Sequence, residues 1–146
     1  MEALCYEDLA DGVELETPAR AITVADIEAF AAVSGDRNPL HLDEAYASGT
    51  IFGGRIAHGL LGLSVASGLL NASRLTAGTL IAFLGVEWSF RRPIRPGDEV
   101  RLRLRVAEAR PSRDPGRGVV VFGMELVGAG GEVVQEGTIA TLVRRR

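Results

Sequence analysis

Residues 58–72 read His-Gly-Leu-Leu-Gly-Leu-Ser-Val-Ala-Ser-Gly-Leu-Leu-Asn-Ala, and this stretch decides the fold. Leu60, Leu61, Leu63, Val65, Leu69 and Leu70 fall on every side of a helix with about 3.6 residues per turn, the pattern of a helix enclosed by protein. The wider apolar run, Ile56 to Leu70, contains His58 and two serines and falls short of the ~20 residues that a bilayer span needs. A buried helix is therefore expected, and something must wrap it.

The wrapper follows it in the chain. Thr79 to Phe90, Glu99 to Ala109, Gly118 to Val127 and Glu132 to Val143 are strand-like runs separated by turn residues. The clearest is Val100-Arg101-Leu102-Arg103-Leu104-Arg105-Val106, whose period of two sends aliphatics to one face and arginines to the other. Pro111 to Gly118 and Gly128 to Gly131 read as turns, and Pro93 with Pro96-Gly97-Asp98 interrupts the path between the first two strands. A sheet of this size leaves an edge. The Thr79 to Phe90 run or its neighbour is expected to pair with a second copy, giving a homodimer or higher homo-oligomer.

Upstream of the helix, Gly12 to Ile22 alternates irregularly and suits a first strand. Thr23-Val24-Ala25-Asp26 matches a helix-capping pattern, and Val24, Ile27, Phe30 and Ala31 recur at helical spacing before Ser34-Gly35 supplies a stop. That helix delivers Asp36 into a loop. Leu42 to Ser48 has room for one or two helical turns before a glycine-rich loop from Gly49 to Arg55. The order strand, helix, loop, buried helix, then four strands specifies an α+β layer arrangement, an antiparallel sheet curled around one helix.

Composition narrows the function. At 146 residues, 47% of them hydrophobic, the chain has the size and core material of one domain, taken as residues 1–146. All sixteen basic residues are arginine, so Schiff-base and lysine-nucleophile mechanisms are excluded. A net charge of -3 offers phosphate backbones no global attraction, and neither a nucleic-acid nor a membrane partner is expected. Cys5 has no partner in the chain, and the N-terminal residues are acidic where a secretory signal would be basic then apolar. A cytoplasmic location is expected. Two histidines and one cysteine argue against a dedicated zinc site, and no cofactor is expected.

Gly35-Asp36-Arg37-Asn38-Pro39-Leu40-His41 carries the chemistry. A carboxylate and an imidazole five positions apart across a proline turn can be aimed at one point, and a free imidazole titrates near ~6.5, where it both accepts and donates protons. The two could hold one water between them. By pattern alone these residues are equally ordinary turn formers around a structural histidine.

The segment resembles the Gly-Asp-x-Asn-Pro-x-His signature of the MaoC-like dehydratase and (R)-specific enoyl-CoA hydratase family, with Ala45 and Ala47 in the following alanine-containing segment. The resemblance continues through Arg55-Ile56-Ala57-His58-Gly59 and through Trp88-Ser89-Phe90-Arg91-Arg92-Pro93-Ile94-Arg95-Pro96-Gly97-Asp98, and covers roughly Tyr6 to Val143. It implies a hot-dog fold, Asp36 and His41 as the catalytic pair, and the Gly59 N–H as oxyanion donor. The implied activity is hydration of 2-enoyl thioesters to (R)-3-hydroxyacyl thioesters, or the reverse, on acyl-CoA or an acyl-carrier thioester.

Adding water to an enoyl thioester requires a base at the water, a proton for the α-carbon and stabilisation of the thioester oxygen. His58 reads as a capping or packing residue, and Ser67 as a hydroxyl bonded to a preceding carbonyl. Arg91, Arg92 and Arg95 form a basic cluster open to solvent or to the phosphates of a coenzyme A or phosphopantetheine arm. Trp88 reads as core or interface. Two alternatives share the fold: an acyl-CoA thioesterase, disfavoured because Ile56 to Ser73 contains no Asp or Glu, and a noncatalytic acyl-thioester binding subunit, disfavoured by the intact Asp36 and His41.

Overall fold

The two-residue period of Val100 to Val106 becomes the inner and outer faces of a strand: Val100, Leu102 and Leu104 are buried, while Arg101, Arg103 and Arg105 face the other way. The structure, a computed structural model, describes residues 2–146. In chain order its elements are α1 (Tyr6–Ala10), β1 (Glu14–Glu16), β2 (Arg20–Ala21), α2 (Val24–Ser34), α3 (Pro39–Leu42), α4 (Glu44–Ser48), α5 (Gly59–Ala72), β3 (Leu80–Phe90), β4 (Glu99–Pro111), β5 (Arg117–Gly128) and β6 (Val133–Arg144). The strands form one antiparallel sheet in the order β1-β4-β5-β6-β3, with β2 also against β4. It packs on α5 in the hot-dog arrangement.

Leu61, Val65, Ala66 and Leu70 of α5 enter one core with Leu102, Leu104, Val120, Phe122, Met124 and Ile139 of the sheet. Each such buried side chain contributes roughly 1.5–3 kcal/mol before the entropy of ordering it is charged. The wrap is not complete within one chain. Leu60, Ser64, Gly68 and Asn71 form an exposed stripe along α5, and Leu60 is 58% exposed. Among the described residues β3 pairs only with β6, and Ile81, Phe83, Leu84, Val86 and Phe90 are about half exposed along it. No helix among the described residues is long and apolar enough to cross a membrane.

The single strand expected from Gly12 to Ile22 is instead two short ones, and Pro18 is the reason. Proline has no N–H for the ladder. Just before it, Thr17 donates its N–H to the Leu102 carbonyl and accepts the Leu102 N–H on its own hydroxyl, both at 2.9 Å. A side-chain oxygen thus completes the backbone pairing where the proline breaks it. α1 had no periodic signal in five residues. It is held by Tyr6, whose ring lies so close to Gly118 that a Cβ there would stand 2.3 Å away.

Candidate active site

The Thr23 hydroxyl accepts the Asp26 N–H at 3.1 Å and the Asp26 carboxylate accepts the Thr23 N–H at 2.9 Å, so the start of α2 is closed reciprocally as its sequence indicates. The helix ends at Gly35 in the left-handed conformation (φ 77°), with its N–H on the Ala31 carbonyl at 2.9 Å. A residue with a Cβ is strained there. This reversal puts Asp36 at the head of a short loop, where its carboxylate accepts the Asn38 N–H at 3.2 Å. Asn38 in turn caps α3 by accepting the Leu40 N–H at 3.0 Å, with Pro39 at the first helical position. That one turn of helix carries His41.

His41 is 9% exposed and Asp36 is exposed. His41 Nδ1 lies 2.8 Å from the Ile56 carbonyl oxygen. A carbonyl only accepts, so Nδ1 carries a proton, and in the neutral tautomer of the ring the lone pair lies on Nε2. Arg55 supports the same turn by donating from Nε to the His41 carbonyl at 2.7 Å.

His58, 2% exposed, joins them. Its side chain makes no helix cap, contrary to one of the roles the sequence suggests. Nε2 donates instead to the Asp36 carbonyl at 2.9 Å, and the ring stacks on His41 with centroids 3.9 Å apart and planes tilted 30°. The Phe30 ring also packs against it, with centroids 4.9 Å apart and planes tilted 59°. His58 Nδ1 is buried and without a hydrogen-bond partner among the described residues.

Asp36, His41 and His58 each offer an atom within 4.8 Å of the others. The two imidazoles bring nitrogen donors and Asp36 an oxygen donor to this one corner.

Gly59 opens α5 beside His58. The His58 carbonyl accepts from Leu61 and Gly62, so the Gly59 N–H belongs to the helix start that has no intrahelical partner. Gly59 lines a cavity of about 290 Å³ with Phe52, Ile56, Ala57 and Phe90. Asp36 and His41 do not line it; His58, which touches both, precedes Gly59 in the chain. A Cβ on Gly59 would meet the Phe90 ring at 2.9 Å, so a larger residue would have to displace that ring. Arg91 and Arg92 reach this cavity, Arg91 also facing Glu136 at 3.6 Å, and both are exposed. Ser67 lies elsewhere, in a cavity of about 400 Å³ with Leu70, Asn71, Leu80 and Phe83.

Sequence reasoning missed Gln135, which is 2% exposed and bonded to both Trp88 and Gly59. Its only signal was a polar residue inside an otherwise strand-like run.

The sequence matches the family model described as MaoC like domain over residues 9–126. It is 38% identical over 113 residues to the 3-hydroxybutyryl-CoA dehydratase of Methylorubrum extorquens, covering 77% of this chain and 70% of that one. It is 33% identical over 141 residues to the (R)-specific enoyl-CoA hydratase of Rhodospirillum rubrum, covering 97% and 92% of the two. Among solved structures, the unliganded R-hydratase PhaJ1 of Pseudomonas aeruginosa superposes with a TM-score of 0.83 at 34% identity, over 99% of this chain and 88% of that one.

Proposed function

The chain belongs to the MaoC-like domain family and is an enzyme of the hydratase/dehydratase kind, and we propose that it interconverts 2-enoyl and (R)-3-hydroxyacyl thioesters through Asp36, His41 and the Gly59 N–H. One observation carries this reading: the Asp36 carboxylate and the His41 ring, on separate sides of a proline turn, come within 4.8 Å of each other beside the start of α5. Asp36 and the His41 Nε2 lone pair together hold a water. Its hydroxyl bonds to the β-carbon, a proton goes to the α-carbon through the same pair, and the charge developing on the thioester oxygen meets the Gly59 N–H. Dehydration runs the same steps backwards.

In this reading residues 1–146 act as one hot-dog domain on an acyl-CoA or acyl-carrier thioester, without a cofactor. Two copies join along β3, whose exposed Phe83, Leu84 and Val86 then leave solvent. The compartment is the cytoplasm, where the buried thiol of Cys5 stays reduced.

The reading is tested with trans-2-enoyl-CoA substrates of increasing chain length, following loss of the conjugated absorbance, release of free thiol and the configuration of the product. Loss of absorbance with an (R) alcohol and no thiol is expected. Thiol release with the double bond intact would replace hydration by hydrolysis.

A further inference from the structure

Gln135 is a fully polar side chain set among apolar ones, on the β6 residue that faces the first turn of α5. An apolar residue of the same size would fill that space without desolvating an amide. The orientation of the amide follows from chemistry: the Trp88 indole N–H can only donate, so Oε1 faces it at 2.9 Å, and the NH₂ group is turned to the Gly59 carbonyl, to which it donates at 3.1 Å. Space for it is made by Gly62, where a Cβ would stand 2.3 Å from Nε2 and 2.6 Å from Cδ. β3, β6 and α5 therefore each contribute a residue whose identity serves one contact with Gly59.

That contact adds nothing the helix lacks. The carbonyl of the first helical residue already receives the N–H four residues on. What the extra bond does is fix the Gly59–Leu60 peptide, and with it the Gly59 Cα to which the N–H nitrogen is bonded, at a helix end where backbone is otherwise free to fray. The Phe90 ring packs against the same residue, where a Cβ would stand 2.9 Å from it.

We propose that Gln135 is a positioning residue: by gripping the Gly59 carbonyl, with Trp88 orienting the amide and Gly62 admitting it, it anchors the Cα on which the preceding His58–Gly59 peptide pivots and so limits the swing of the Gly59 N–H toward or away from the thioester oxygen. This rests on Gly59 being the oxyanion donor of the reaction proposed above. The donor's value depends on direction, because a hydrogen bond weakens steeply as it bends, and loss of a whole oxyanion donor costs roughly 10²–10³ in turnover.

The test compares wild type with Gln135→Met, which keeps volume and removes the bond, and with Trp88→Phe, which leaves Gln135 but frees its amide to swivel. Turnover on trans-2-butenoyl-CoA is read beside the carbonyl stretch of bound butyryl-CoA labelled with ¹³C at the thioester carbon. Expected are a kcat about 10- to 100-fold lower for Gln135→Met with KM within about threefold, a smaller fall for Trp88→Phe, and a stretch returning toward its solution frequency in the same order. A packing role alone would not move that frequency in a folded variant. Should Gln135→Met fail to fold, Trp88→Phe decides. Unchanged kcat and an unchanged stretch in the folded variants, with wild type hydrating normally, would overturn the positioning role and leave the activity standing. A wild type that neither hydrates nor shifts the carbonyl would remove the activity and this role with it.

Discussion

His58 Nε2 donates a 2.9 Å hydrogen bond to the backbone carbonyl of Asp36, twenty-two residues earlier in the chain. The same ring stacks on His41 at 3.9 Å. The histidine just before α5 thus touches both members of the proposed pair, and ties the Asp36 loop to the helix bearing Gly59.

Replacing His58 by Phe keeps the stack and removes the bond to Asp36. A net loss of about 1 kcal/mol in unfolding free energy is expected, the ordinary worth of one intramolecular hydrogen bond. Turnover should fall by about tenfold as the carboxylate loses its fixed place. Urea unfolding and steady-state hydration on the same preparation check both; full activity would show that the Asp36 loop holds itself.

The capping box of α2 sets the approach to Asp36. The Thr23 N–H, chiefly, then its hydroxyl and Arg20 hold the Asp26 carboxyl below the usual carboxylate range, against a smaller upward push from burial. A group lowered on folding stabilises above its unfolded value, about 3.9, and that contribution fades as the pH falls through the folded one. Thr23→Ala should cost about 1 kcal/mol at neutral pH. The stability gap between wild type and Asp26→Asn should be widest at pH 7 and shrink at pH 3, measured by urea unfolding; a gap that grows in acid would reverse the sign.

The outward edge of β3 should be the seam of a dimer. Leu84→Glu with Val86→Glu places like charges against their own copies across a two-fold interface. Light scattering at micromolar concentration is expected to give twice the chain mass for wild type and the single chain mass for the double variant. A wild-type monomer would contradict the seam.

Much of this fold was legible because its signals are local. The apolar residues around α5, the alternation of Val100 to Val106 and the Thr23 to Asp26 box each fix an element through its own period or cap. The split at Pro18 needed the pairing of Thr17 with Leu102, a relation between residues 85 positions apart. Along α5 the leucines mark burial but cannot say which stripe the chain leaves open. The site divides the same way. Asp36 and His41 stand close in sequence around a proline, so their meeting is a local fact. His58 and Gln135 enter only through tertiary contacts, and a buried histidine or a strand glutamine looks in sequence like any other.

The most direct test of the account is hydration of trans-2-butenoyl-CoA by Asp36→Asn and His41→Ala, each checked for wild-type folding by circular dichroism. If the two side chains share one water, each variant should lose at least ~100-fold in kcat, and the double variant should lose little more than the worse single one, as residues acting as a unit do. Wild-type turnover in both single variants would contradict it.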